Sequence, residues 1–125
     1  MAVSFLGDIM KLTLHCQHPG EIKKLSEEVH DLYFEVDDLK ISDDRRILIK
    51  LYRHPAEEVG ILAISEVNAL EITDTEKVGF YDIVDLEYNK KTQVLSFSTG
   101  IPIRVSIALN RVEIYLELDK PEYRE

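Results

Sequence analysis

Phe34-Glu35-Val36-Asp37-Asp38-Leu39-Lys40-Ile41 returns 47 residues later as Tyr81-Asp82-Ile83-Val84-Asp85-Leu86-Glu87-Tyr88. In both stretches the apolar residues step by two, then three, then two: Phe34, Val36, Leu39 and Ile41 against Tyr81, Ile83, Leu86 and Tyr88. Residues i and i+2 of a strand share a face, so a three-residue step keeps all four side chains together only where one extra residue bulges out. Bulges are expected at Asp37-Asp38 and at Val84-Asp85. The turns that follow match in length, Ser42 to Arg45 and Asn89 to Thr92, and lead into Ile47-Leu48 and Val94-Leu95. Further on, Val67-Asn-Ala-Leu-Glu-Ile72 resembles Leu109-Asn-Arg-Val-Glu-Ile114, now 42 residues apart.

Two explanations fit this likeness. One is a duplicated β unit, with copies at 34–72 and 81–114. The other is a pair of bulged hairpins that look alike because hairpins share a chemistry. The second strands of the two copies disagree in parity, since Ile47, Ile49 and Leu51 stand against Leu95 and Phe97.

Outward from these stretches the chain reads as strands with one helix. From Ile9 to Cys16 apolar and polar residues alternate, the period of a half-buried strand. His18-Pro19-Gly20 breaks it, and Ile22, Leu25, Val29 and Leu32 then recur at helical spacing, which predicts one amphipathic helix at about 20–31. Pro19 suits the first turn and Glu21 the positive end of the helix dipole. Strands are expected over 34–41, 46–52, 60–67, 70–73, 80–88, 93–99, 101–109 and 112–118. The last two alternate most cleanly and are expected to pair as a hairpin across Asn110-Arg111. The tail, 119–125, with Pro121 among charges, is expected to leave the sheet and fray. The fold class is therefore α+β, mainly antiparallel β, a sandwich or roll with one helix, and residues 1–125 are expected to form a single domain.

Composition limits the function. Fifteen Lys and Arg against 24 Asp and Glu give a net charge of −9, which disfavours nucleic acid and anionic membrane surfaces and favours a basic protein partner. The lone Cys16, the lack of an Asn-x-Ser/Thr acceptor and the lack of a long apolar run point to a cytoplasmic protein without a signal peptide or membrane span. No phosphate-cradling glycine loop or nucleophile elbow occurs. Strand parity sets His15 on the face opposite Cys16, so His15, Cys16 and His18 do not read as a metal cage, and no metal or cofactor is expected.

The acidic residues Glu66, Glu71, Asp74, Glu76, Asp82, Asp85 and Glu87 face only Lys77 in the same stretch and are the expected binding surface. The leading expectation is a non-catalytic binding or regulatory module, with a basic partner or self-association through a sheet edge. The alternative is a small enzyme with a carboxylate-lined cleft between the two similar units. Its catalytic candidates are Asp38 and Asp85, which occupy matching bulge positions.

Overall fold

The computed structural model describes residues 2–6 and 9–121, with side chains described over 11–120. Among the described residues ten strands form one antiparallel sheet: β1 (Ala2–Leu6), β2 (Ile9–Cys16), β3 (Tyr33–Glu35), β4 (Ile47–His54), β5 (Glu57–Ile64), β6 (Val67–Thr73), β7 (Phe80–Asn89), β8 (Val94–Thr99), β9 (Arg104–Leu109) and β10 (Ile114–Pro121). Among the described residues a single α-helix, α1 (Ile22–Val29), follows a 3₁₀ turn at Pro19–Glu21 and lies between β2 and β3 in the chain. The mainly antiparallel α+β class expected from the residue periods is the one observed.

The order across the sheet is β1-β2-β10-β5-β4-β3-β7-β8-β9-β6. β5 and β6 stand six places apart in that order, yet only Ser65 and Glu66 join them. Six strand spacings across a flat sheet would span roughly 29 Å, whereas so short a link reaches about 10 Å. β9 and β10 are also six places apart, with only residues 110–113 between them. The sheet must therefore come round on itself, and the inner face becomes one continuous apolar core that includes Phe34, Ile49, Leu62, Tyr81, Leu95, Ile107 and Leu116.

The roll has an internal two-fold pattern. β3 pairs with β7, and the register sets Tyr33 against Asp82, Phe34 against Tyr81 and Glu35 against Phe80. Phe34 and Tyr81 are the residues that begin the two similar stretches, so equivalent positions meet each other, as they do where a two-fold axis passes between two antiparallel strands. Val67 meets Leu109 in the same way where β6 pairs with β9. Outward from the β3–β7 contact, β4 and β8 follow as equivalents, then β5 and β9, and last β10 beside β5 and β6 beside β9. Each unit thus lends its fourth strand to the other. Backbone bonds repeat as well: Val36 N–H donates to Gly79 O at 2.9 Å and Ile83 N–H to Leu32 O at 2.7 Å, while Val67 N–H donates to Arg45 O at 3.0 Å and Leu109 N–H to Gln93 O at 2.9 Å.

The parity conflict between the second strands has a local cause. The first turn closes with Arg45 N–H to Ser42 O, a three-residue reach, and the second with Gln93 N–H to Asn89 O, a four-residue reach. Arg45 and Gln93 both take positive φ, 61° and 58°. One extra residue in the second turn brings Leu95 and Phe97 inward as the equivalents of Ile47 and Ile49, and all four are buried.

Three expectations are corrected. The strand expected over 34–41 ends at Glu35 and becomes a 3₁₀ turn over Val36–Asp38, because Glu35 pairs with Phe80, the first residue of β7, and the later residues find no ladder there. The bulge in the second copy is real, with a register shift between Ile83 and Asp85. The hairpin across Asn110-Arg111 does not form: β9 pairs with β6 and β8, and β10 with β2 and β5. A two-residue hairpin turn needs positive φ, and neither Asn110 nor Arg111 has it. Asn110 N–H instead donates to Glu66 O at 2.9 Å, where the β5–β6 and β9–β10 links meet. At the C-terminal end β10 continues through Pro121, past the expected strand end at Leu118, and residues 122–125 lie outside the described residues.

Candidate binding groove

At the bulge in β7, α1 and the residue that follows it, His30, supply hydrogen-bond partners for Leu86 N–H and Val84 O. Ser26 Oγ accepts from Leu86 N–H at 2.9 Å and donates to Asp85 Oδ1 at 3.5 Å. His30 Nδ1 donates to Val84 O at 2.8 Å, and Asp31 N–H to Ile83 O at 2.8 Å. Ser26 is the one buried polar side chain among the described residues, and it sits on the same helix face as Ile22, Leu25 and Val29. Helix and strand are thus joined by an apolar stripe and by polar groups matched to the irregularity opposite them.

Alongside this seam a groove of about 730 Å³ runs between α1 and β7. Ile22, Leu86 and Tyr88 give it an apolar floor, and Lys23, Glu27 and Glu87 stand on its rim with Asp85. Neither Glu27 nor Glu87 makes an ion pair. On the far side of the helix Glu28 is bridged by Lys24 at 3.0 Å and by Lys120. Burial alone would raise the Glu28 carboxyl, but the two lysines outweigh it and hold it below the usual range.

His30 closes one end of the groove. Its hydrogen bond to Val84 O, aided by Asp31 and Asp85, holds its pKa above the ordinary histidine value. Proton binding is then favoured in the folded chain. The resulting stabilisation is complete below the unfolded pKa of about 6.5 and is lost as pH rises through the higher folded value. The urea stability gap between the wild type and His30→Ala should therefore narrow from about pH 5.5 to about pH 8.5. A gap that is constant or widens would show that His30 does not anchor the helix in its charged form.

The side chains singled out in the sequence are dispersed. Asp85 and Glu87 border the groove. Asp82 Oδ1 accepts from Gly100 N–H at 2.9 Å, and Asp74 accepts from Lys77 N–H at 3.0 Å and from the Tyr81 hydroxyl. Glu66 lies 3.6 Å from Arg111 at the strand crossing, Glu71 is exposed on β6, and Glu76 is exposed beyond its end. These seven acids belong to several surfaces of the roll. Asp38 and Asp85 do not share a concavity: Asp38 accepts from Lys50 N–H at 2.9 Å and borders a smaller hollow with Ile41 and Leu48. Cys16 is buried with its thiol toward Glu21 O at 3.6 Å, and burial, reinforced by Glu21, pushes it up to about 11, the range of an unreactive thiol. His15 faces the other way, paired with Glu113.

Ser26, His30 and Asp85 bring a hydroxyl, an imidazole and a carboxylate close together, but they form no nucleophilic relay. The serine hydroxyl is held between Asp85 and Leu86 N–H, and the imidazole by Val84 O with Asp31 at 3.4 Å. The groups hold the helix to the strand.

Sequence reading missed the groove because half of it comes from α1, remote in the chain from the acidic stretch. The available signal was Ser26, a polar residue on the apolar face of the helix. Among the described residues no helix is long and apolar enough to cross a membrane. Comparison with protein-family models, curated proteins and solved structures found no match to this chain.

Proposed function

We propose that the chain is a non-catalytic binding module whose groove between α1 and β7 takes a basic segment of a protein partner. The observation that carries this reading is the acidic rim. Glu27, Asp85 and Glu87 border an open groove with an apolar floor, and among the described residues that line it Lys23 is the only lysine or arginine. An Arg or Lys side chain fits among those carboxylates, and a neighbouring aliphatic side chain fits against Ile22, Leu86 and Tyr88. The net charge of −9 adds long-range attraction for such a segment.

The test is fluorescence anisotropy with short labelled peptides that alternate Arg with Leu, beside Glu-Leu and Gln-Leu controls. The Arg-Leu peptide should bind saturably and lose affinity with added salt. Asp85→Lys combined with Glu87→Lys should weaken binding by about tenfold or more. Equal binding of the three peptides, or full affinity in the double variant, would remove this reading.

A further inference from the structure

The outer faces of β4, β5 and β10 lie side by side and carry apolar residues where a solvated sheet face is normally polar. On β4, Ile47, Ile49 and Leu51 are buried, so strand alternation turns Leu48 and Lys50 outward. On β10, Ile114, Leu116 and Leu118 are buried, and Tyr115 and Glu117 turn outward. On β5, Leu62 and Ile64 fill the core, and Ile61 and Ala63 turn outward. The registers align these residues in two rows. Ala63 pairs with Leu48 on one side and Tyr115 on the other, and Ile61 with Lys50 on one side and Glu117 on the other. Leu48 and Tyr115 are 48% and 39% exposed, two of only four large apolar side chains so exposed among the described residues.

The two rows are complementary to themselves. Lys50 is exposed, and among the described residues its ammonium makes no ion pair or hydrogen bond. Glu117 stands 3.4 Å from Lys11, but Lys11 lies closer to Asp119, at 2.7 Å, and the Glu117 side chain is 42% exposed. The face is thus basic along β4, acidic along β10 and apolar between them. Two sheets stacked outer face to outer face about a two-fold axis along β5 set β4 of each copy over β10 of the other. Leu48 then meets Tyr115, Lys50 meets Glu117, and Ile61 and Ala63 meet their own equivalents, each heterologous pair occurring twice. The strands of the two copies stay aligned, a common arrangement for sheets packed about 10 Å apart. An axis across the strands would instead set β4 over β4 and Lys50 on Leu48, with no charge partner.

We infer that the chain forms a two-fold dimer through this outer face, with β4 of each copy over β10 of the other. The occupant is a second copy because one surface supplies both members of every contact. At about 0.15 M salt, repulsion between two chains of net charge −9 is screened beyond about 8 Å, and the close Lys50–Glu117 pairs are screened much less. The face shares no residue with the groove beside α1 and does not depend on the partner proposed there.

Sedimentation equilibrium of the full chain, from low to high micromolar at about 0.15 M salt, tests the proposal and should show a reversible monomer–dimer equilibrium. Leu48→Asp, Lys50→Glu and Glu117→Lys should each weaken the dimer by about tenfold or more, because each change enters twice. An equimolar mixture of Lys50→Glu with Glu117→Lys should associate as tightly as the wild type, since in the mixed dimer one copy presents acids at both positions and the other presents bases. Urea midpoints of dilute protein check that the variants fold. If Glu117→Lys does not fold, Leu48→Asp and Lys50→Glu still decide. A monomer at every concentration, a dimer indifferent to Leu48→Asp and Lys50→Glu, or a mixture of folded charge variants no tighter than its components would overturn the proposal.

Discussion

Gly60→Val should leave no cooperatively folded protein, and Gly60→Ala should cost about 3 kcal/mol, the upper part of the range for forcing extra atoms into a packed interior. Gly60 lies in β5 between two neighbours, paired with Leu51 on β4 and Leu118 on β10. A Cβ there would stand 2.3 Å from Glu117 O and 3.0 Å from Leu118 Cα, and both are backbone atoms that cannot turn aside. The clash would push apart the contact that holds the exchanged strand β10 in the roll. Gly100 is the informative control. The three atoms nearest a Cβ at Gly100 all belong to the Asp82 carboxylate, from 2.6 Å, a side chain that can turn aside at the cost of its hydrogen bond from Gly100 N–H, so Gly100→Ala should cost clearly less than Gly60→Ala. Urea unfolding of both variants checks the ranking, and near-equal midpoints would mean that β5 and β10 are not in this close contact.

Phe34→Ala should destabilise by about 3–5 kcal/mol, as deletion of a buried aromatic ring generally does. Phe34 is fully buried on the two-fold axis, with the Tyr81 ring 6.1 Å away and the Phe97 ring 5.4 Å away in edge-on geometry. No neighbouring loop can collapse into the space, because rings of the second unit line it and β3 is held there by β7. Phe34→Leu retains much of the volume and should cost about 1–2 kcal/mol. Denaturant titration of the two variants reads the difference. A small effect of Phe34→Ala would show that the two units do not meet through this side chain.

Local patterns were readable in the sequence, and the pairings between distant segments were not. The strand from Ile9 to Cys16, the helix stripe of Ile22, Leu25 and Val29, and the inward set of Phe34, Leu39, Tyr81, Ile83 and Leu86 all follow from period and spacing. The extra residue in the Asn89–Gln93 turn was hidden because turn length depends on which carbonyl the closing N–H finds. Val112, Ile114, Leu116 and Leu118 alternate as a hairpin strand would, and they do face the core. Their partners, however, are β2 and β5, and alternation says nothing of the partner. The groove has the same character. Asp85 and Glu87 could be named from charge alone, but the helix that makes them part of a concavity lies some sixty positions earlier.

The exchange of fourth strands between two similar units closes the roll, so the crossing of the β5–β6 and β9–β10 segments is the claim on which the account of the fold stands. Nuclear Overhauser contacts between backbone protons of the full chain test it most directly. The account predicts cross-strand contacts between Val67 and Leu109, Phe34 and Tyr81, and Ile64 and Ile114, with none between Leu109 and Val112 across a hairpin turn. Strong Leu109–Val112 and Ile107–Ile114 contacts, with Val67–Leu109 absent, would mean that β9 folds back on β10, and the exchanged strands would not exist.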